Sequence, residues 1–153
     1  MKKKIPEPQP EEKYVDAANL ILGRMASYVA KEALDGKRVV VLNAERAIIS
    51  GTKARVVARA KQKLKTRTLG NLDKGPTHPR RPDTYVRRVI RGMLPWKKTS
   101  GKEAFRRVHV YIGVPEEYRN KEPVRLADAD ASRLRVPYIS VAQLSQEIGA
   151  YTP

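Results

Sequence analysis

Apolar residues at Leu22, Met25, Ala26, Val29 and Ala33 recur every three or four positions, the spacing that places side chains on one face of a helix. Gly36 follows where a helix C-terminus would favour it. Strand patterns flank this helix. KYVD at 13–16 is a short candidate, and RVVVL at 38–42 is an unbroken apolar run of strand length, as expected of a strand covered on both faces. AIIS at 47–50 is a third candidate, reached through a tight turn at Asn43-Ala44.

The next two helical patterns are two-faced. After Ser50, a candidate cap, Val56, Val57, Ala60 and Leu64 fall on one side and Arg55, Arg59, Gln62 and Lys65 on the other. TLGNLDKGPTHPRRP at 68–82 carries two glycines and three prolines and reads as loop. Asp83 suits the cap of a helix in which Tyr85, Val86, Val89, Ile90 and Met93 share one side, with Arg87, Arg88 and Arg91 opposite and Pro95 ending it. Ser100 with Glu103 fits a capping box for a short helix through Arg107, and VHVYI at 108–112 alternates as a strand with Val108, Val110 and Ile112 on one face.

Strands interleaved with amphipathic helices predict an α/β fold, a three-layer α/β/α arrangement around a small, largely parallel sheet of about four strands. The 153 residues fit a single core. Residues 1–12, basic and then proline-rich, read as an extended arm; 13–115 form the α/β core; 116–153 form a C-terminal extension without clean periodicity until a final helix from Ser140, with Val141, Leu144 and Ile148 inward. No internal repeat is evident.

Charge sharpens this picture. The formal net charge is +16, and the excess is concentrated. Residues 61–107 hold 15 Lys and Arg against 3 Asp and Glu, whereas 1–60 hold 12 against 7 and 116–153 hold 5 against 6. Such a block repels itself and is relieved by a polyanion, which makes nucleic acid the leading partner ahead of a merely solvated basic face. The absence of cysteine excludes disulfides and thiolate metal sites. No run reaches the length of a membrane helix, and MKKKIPEPQPEEK lacks the apolar centre of a signal peptide, so a soluble, intracellular protein is expected.

Catalytic chemistry finds little support. His78 lies in the proline-rich loop and His109 in a strand, with no pattern joining either to a nucleophile or metal; His109 reads as structural, His78 as either an RNA contact or loop packing. GNLDKGPT at 70–77 departs from a phosphate-binding loop because Pro76 stands where lysine is required. SGTK at 50–53 places a glycine at a helix N-terminus, suited to a phosphate or simply to a capped helix. Asp128 and Asp130 lack the companions of a calcium loop and read as turn residues. No cofactor, metal or small-molecule substrate is expected. The arginines opposite the core of the 83–94 helix have no acidic residue at i+3 or i+4 and can engage phosphates through their guanidinium forks. Trp96, beside Pro95, Lys97 and Lys98, is either a base- or ribose-stacking residue or a core or lid tryptophan.

Several separated segments in order resemble one family. VIRGMLPWKKTSGKEAFRRVHVYIGVP at 89–115, LILGRMASYVAKEAL, VVVLNAERAIISG and the basic loop before Arg80 are similar to the universal large-subunit ribosomal protein family numbered thirteen, in its archaeal or eukaryotic-type form. The resemblance is strong over about 14–115 and looser elsewhere. It implies a non-enzymatic α/β protein of the large subunit, bound to large-subunit ribosomal RNA and neighbouring proteins, supporting assembly and stability. Carried over position by position, it implies RNA contacts from Lys53, Arg55, Arg59 and Lys65; from Lys74, His78, Arg80 and Arg81; from Arg87, Arg88 and Arg91; and from Trp96, Lys97, Lys98, Lys102, Arg106 and Arg107. The near-neutral extension favours protein contacts. The alternatives are a free RNA- or DNA-binding regulator and a small nucleotide-using enzyme with phosphate at 50–53.

Overall fold

The computed structural model describes residues 11–150 apart from Leu72. The arm expected at 1–12 therefore lies outside the described residues except for Glu11 and Glu12, and Glu12 opens the first strand. Three strands, β1 (Glu12–Asp16), β2 (Arg38–Leu42) and β4 (Val108–Val110), form a parallel sheet in the order β1-β2-β4. Tyr14 pairs with Val40, and Val40 with His109. Parallel neighbours need a crossover, and α1 (Leu22–Leu34) supplies the one from β1 to β2. Its stripe of Leu22, Met25, Ala26, Val29 and Ala33 is buried as the spacing requires. Gly36 takes φ +94°, a left-handed conformation that glycine adopts without strain, just beyond the helix.

One sheet face, with Val15, Val39, Val41 and Val108, packs against α1, against Val86 and Ile90 of α3 (Pro82–Met93), and against Ala104 of α4 (Thr99–Arg106). The other face, with Tyr14, Val40 and Leu42, meets Tyr111 and Tyr118. Ring centroids there lie 5.6 Å apart for Tyr14–Tyr118 and 5.5 Å for Tyr111–Tyr118. The α/β class and parallel sheet are as expected, with the third layer reduced to the single 3-10 turn Glu116–Tyr118. Val39, Val40 and Val41 are each fully buried, which accounts for the unbroken apolar run.

The AIIS segment joins a second sheet. β3 (Ile48–Ser50) pairs antiparallel with β5 (Tyr138–Ser140), which sequence patterning did not reveal because three residues are too few to show a period. β5 leads into α5 (Val141–Glu147), where Ser140 Oγ accepts from the Gln143 amide at 3.2 Å and the Gln143 side chain accepts from the Ser140 amide at 3.1 Å. This capping box, with Val141, Leu144 and Ile148 buried, agrees with the expected final helix.

The starts of the three middle helices differ from expectation. Ser50 ends β3, and α2 (Lys53–Lys65) begins after Thr52, whose side chain makes no capping bond. α3 begins at Pro82, whose missing N–H costs nothing in the first turn; Asp83 instead pairs with Arg81 at 3.3 Å. α4 begins at Thr99 without the Ser100–Glu103 box. Packing governs there: a Cβ on the buried Gly101 would lie 2.2 Å from the Pro95 carbonyl oxygen, so the backbones approach more closely than any side chain permits.

Candidate nucleic-acid interface

The cations expected to meet RNA occupy α2, the loop to α3, α3 itself and the start of α4. On α2, Arg55, Arg59 and Lys65 are exposed, while Lys53 Nζ pairs with Glu147 at 2.6 Å. That ion pair holds the Glu147 carboxyl below its usual range and supplies a carboxylate, rather than a phosphate, beside the helix N-terminus. Lys74 and Arg80 project from the loop, and the Arg80 carbonyl accepts from the buried Ser145 hydroxyl at 2.7 Å. His78 is half-buried, with Nε2 3.2 Å from the Thr66 carbonyl oxygen, so it ties the loop back to the end of α2.

The arginines of α3 are held by aromatic rings and backbone. Arg87 lies 4.6 Å from the Phe105 ring centroid and Arg91 lies 4.7 Å from that of Trp96. Trp96 and Phe105 meet edge-to-face at 5.2 Å, so the four side chains form one continuous row. Arg88 donates to the Thr77 carbonyl at 3.3 Å. Trp96 is thus neither buried nor a free stacking platform: it is 39% exposed, with Arg91 over its ring. Lys97, Lys98, Lys102 and Arg106 are exposed nearby. Arg107 is turned inward enough for its Nη1 to donate to the Ala33 carbonyl at 3.4 Å, a cation at the C-terminal end of α1.

Of the seventeen expected contact residues, only Lys53 and Arg81 join an ion pair among the described residues. The remaining cations form a surface with little internal neutralisation, reachable by phosphates and capable of bidentate guanidinium contacts. Elsewhere several charges are paired within the fold. Glu32 binds both Lys13 at 2.8 Å and Lys37 at 2.9 Å, which holds its carboxyl below the usual range. His109 is half-buried in β4, and burial together with Arg38 and Arg87 pushes its imidazole down, favouring the neutral form of a structural histidine. Asp130 accepts from the Ser132 amide at 2.8 Å, and Asp128 pairs with Arg133, which is turn chemistry.

A sequence model of the ribosomal protein L13 family matches residues 11–117, well over half of the chain. The chain belongs to the ribosomal protein L13 family. It is 49% identical over 142 residues to the large ribosomal subunit protein uL13 of Methanopyrus kandleri, covering 91% of this chain and 87% of that protein. It is 48% identical to uL13 of Sulfurisphaera tokodaii, with 90% and 94% covered, and 44% identical to uL13 of Methanosarcina barkeri, with 89% and 96% covered. These relatives are archaeal, as the resemblance implied. The L13 family model spans the sheet of β1, β2 and β4 and the cationic helices, while β5 and α5 follow its end.

Sequence reasoning missed Phe105 and Tyr85. Phe105 is the ring beneath Arg87, yet it carries no charge and lies in a basic segment, so composition hides it. Tyr85 was assigned to the core face of α3 but is half-buried, at the edge of a groove between α2 and α3. The apolar side of α2 is likewise half-buried rather than buried, contrary to the core face its spacing predicted. A periodic stripe identifies a side that faces neighbours; it does not report how completely they cover it.

Proposed function

We propose that this chain is a structural constituent of the large ribosomal subunit that binds large-subunit ribosomal RNA in the cytoplasm and supports assembly and stability of the subunit. The observation that carries this reading is the row Arg87–Phe105–Trp96–Arg91, continuous with exposed lysines and arginines of which only Lys53 and Arg81 pair with a carboxylate among the described residues. Guanidiniums stacked on rings keep their edges for phosphate oxygens, so RNA segments converging on this face are held by charge and shape rather than by reading a long sequence.

In this reading Arg55, Arg59 and Lys65 approach RNA from α2, Lys74, His78, Arg80 and Arg81 from the loop, and Arg87, Arg88 and Arg91 from α3. Trp96, Lys97, Lys98, Lys102 and Arg106 continue the surface, while Lys53 and Arg107 act mainly within the fold. The near-neutral extension meets neighbouring ribosomal proteins. The uL13 names of the archaeal relatives support the same assignment. The reaction is binding alone, with no substrate turned over and no cofactor.

Sedimentation of a native lysate through a sucrose gradient, before and after a moderate salt wash, tests it. Co-migration with the large subunit that survives the wash is expected. A position at the top of the gradient under both conditions would refute it in favour of a free regulator or an enzyme.

A further inference from the structure

The apolar stripe of α2 has an unfilled side. Val56, Ala60 and Leu64 are only half-buried, and with Tyr85 and Val89 of α3 they line a groove of about 530 Å³. That size lies within the roughly 300–1,000 Å³ typical of small-ligand sites. Arg59, Lys63 and Arg88 edge the groove, and among the described residues no acidic one lines it. Its outer wall is fixed: His78 is tied to Thr66 at 3.2 Å, and Arg88 to Thr77 at 3.3 Å. Tyr85 keeps its hydroxyl proton, since burial pushes the phenol up while Arg59 only partly offsets this, leaving a hydrogen-bond donor at neutral pH.

We propose that this groove holds one unpaired nucleotide of the bound RNA, its base against Tyr85 and Val89 and its flanking phosphates on Arg59, Lys63 and Arg88. The inference rests on the RNA-binding reading above and specifies how that surface treats single-stranded RNA. A flat base has apolar faces for the stripe and polar edges for a phenol, and the phosphates on either side match three cations without a carboxylate among them. A paired base in an A-form helix cannot enter, because its faces are stacked and its edges engaged. The groove therefore selects a loop or bulge.

Gly92 permits a test that leaves every cation in place. It lines the groove in ordinary helical backbone, and a Cβ there would meet nothing within 4 Å. Methionine is also the better helix former, so G92M fills the groove without straining α3. The full chain is titrated with a labelled single-stranded oligouridylate and with a blunt RNA duplex of equal length. G92M is expected to weaken the oligouridylate about tenfold, within the range set by loss of one stacked base, and to leave the duplex unchanged. A60M, filling the groove from α2, must reproduce this result, with thermal melts confirming both folds. In the unaltered protein the Gly92 amide resonance must shift on adding oligouridylate.

Equal affinity of G92M and the unaltered chain for the oligouridylate overturns the proposal. So does intact oligouridylate binding by a groove-filled variant that no longer sediments with the large subunit, which would make the occupant a protein segment. Failure of the unaltered chain to bind either RNA would instead refute the RNA-binding reading itself.

Discussion

Replacing Arg87, Arg88 and Arg91 together with glutamine removes three positive charges while keeping the unbranched stems that cover the surface of α3. If each guanidinium neutralises one phosphate, the slope of log affinity against log salt becomes shallower by about 0.7–0.9 per residue, hence by roughly 2–3 for the set. Over a fourfold rise in salt the unaltered chain should then lose about 20- to 40-fold more affinity than the variant. Loss of the stacks on Phe105 and Trp96, at 4.6 and 4.7 Å, acts on stability as well. At about 0.5–1 kcal/mol for each partly exposed cation–π pair, that costs about 1–2 kcal/mol. The melting temperature should fall by about 2–8 °C for a domain of this size. Filter binding of a large-subunit RNA transcript across a salt series measures the slope, and a thermal melt measures the stability term. Lysine at the same three positions restores charge without the planar fork, so the slope should recover. An unchanged slope in a folded triple glutamine variant, or lysine failing to restore it, would refute phosphate contact by this face.

Three further outcomes follow from particular contacts. Burial and the nearby Arg38 and Arg87 push the His109 imidazole down, so below its ordinary value near 6.5 the unfolded chain takes a proton that the folded chain resists. Stability should therefore fall as pH drops through the ordinary imidazole value of about 6.5, and H109N should flatten that part of a melting-temperature profile. G101A should lower stability by about 1–3 kcal/mol or more, since its Cβ would meet the Pro95 carbonyl at 2.2 Å; a melt within 1 °C of the unaltered chain would disprove the close approach. W96A should weaken RNA binding mainly by releasing Arg91, so W96A and R91Q combined should lose much less than the sum of the two, and additive losses in filter binding would mean that Trp96 contacts RNA by itself.

Much of the scaffold was legible because it obeys one rule at a time. The α1 stripe, the RVVVL run and the final helix from Ser140 each have a single cause, and each appears where its pattern places it. The departures have competing causes. Ser50 has the chemistry of a cap, but Ile48–Ser50 is held in β3 by the distant Tyr138–Ser140, a pairing that local propensity does not encode. Ser100 and Glu103 have the spacing of a capping box, but the contact of Gly101 with Pro95 governs the start of α4. Within the candidate site, charge identified the exposed arginines but not their tethering. Nothing in the spacing of Arg87 and Phe105, or of Arg91 and Trp96, distinguishes a free cation from one laid on a ring.

That tethering links the fold to the proposed binding. Val86 and Ile90 are fully buried on the side of α3 that meets the core, so the helix is fixed before any ligand arrives. Phe105 and Trp96 then restrict Arg87 and Arg91, long side chains that would otherwise lose rotamer freedom on association at about 0.5–1.5 kcal/mol each. The acidic-to-neutral extension serves the opposite end of the problem. Its Val124 amide donates to the Tyr14 carbonyl at 2.7 Å and covers the exposed edge of β1, while Ala129 completes the main core. Carboxylates thus accompany the segments that close the fold and are nearly absent from the segment that faces outward with its guanidiniums already placed. Charge asymmetry along the chain is in this sense a division of labour: local neutralisation where the chain must meet itself, and uncompensated, preorganised cations where it must meet a polyanion.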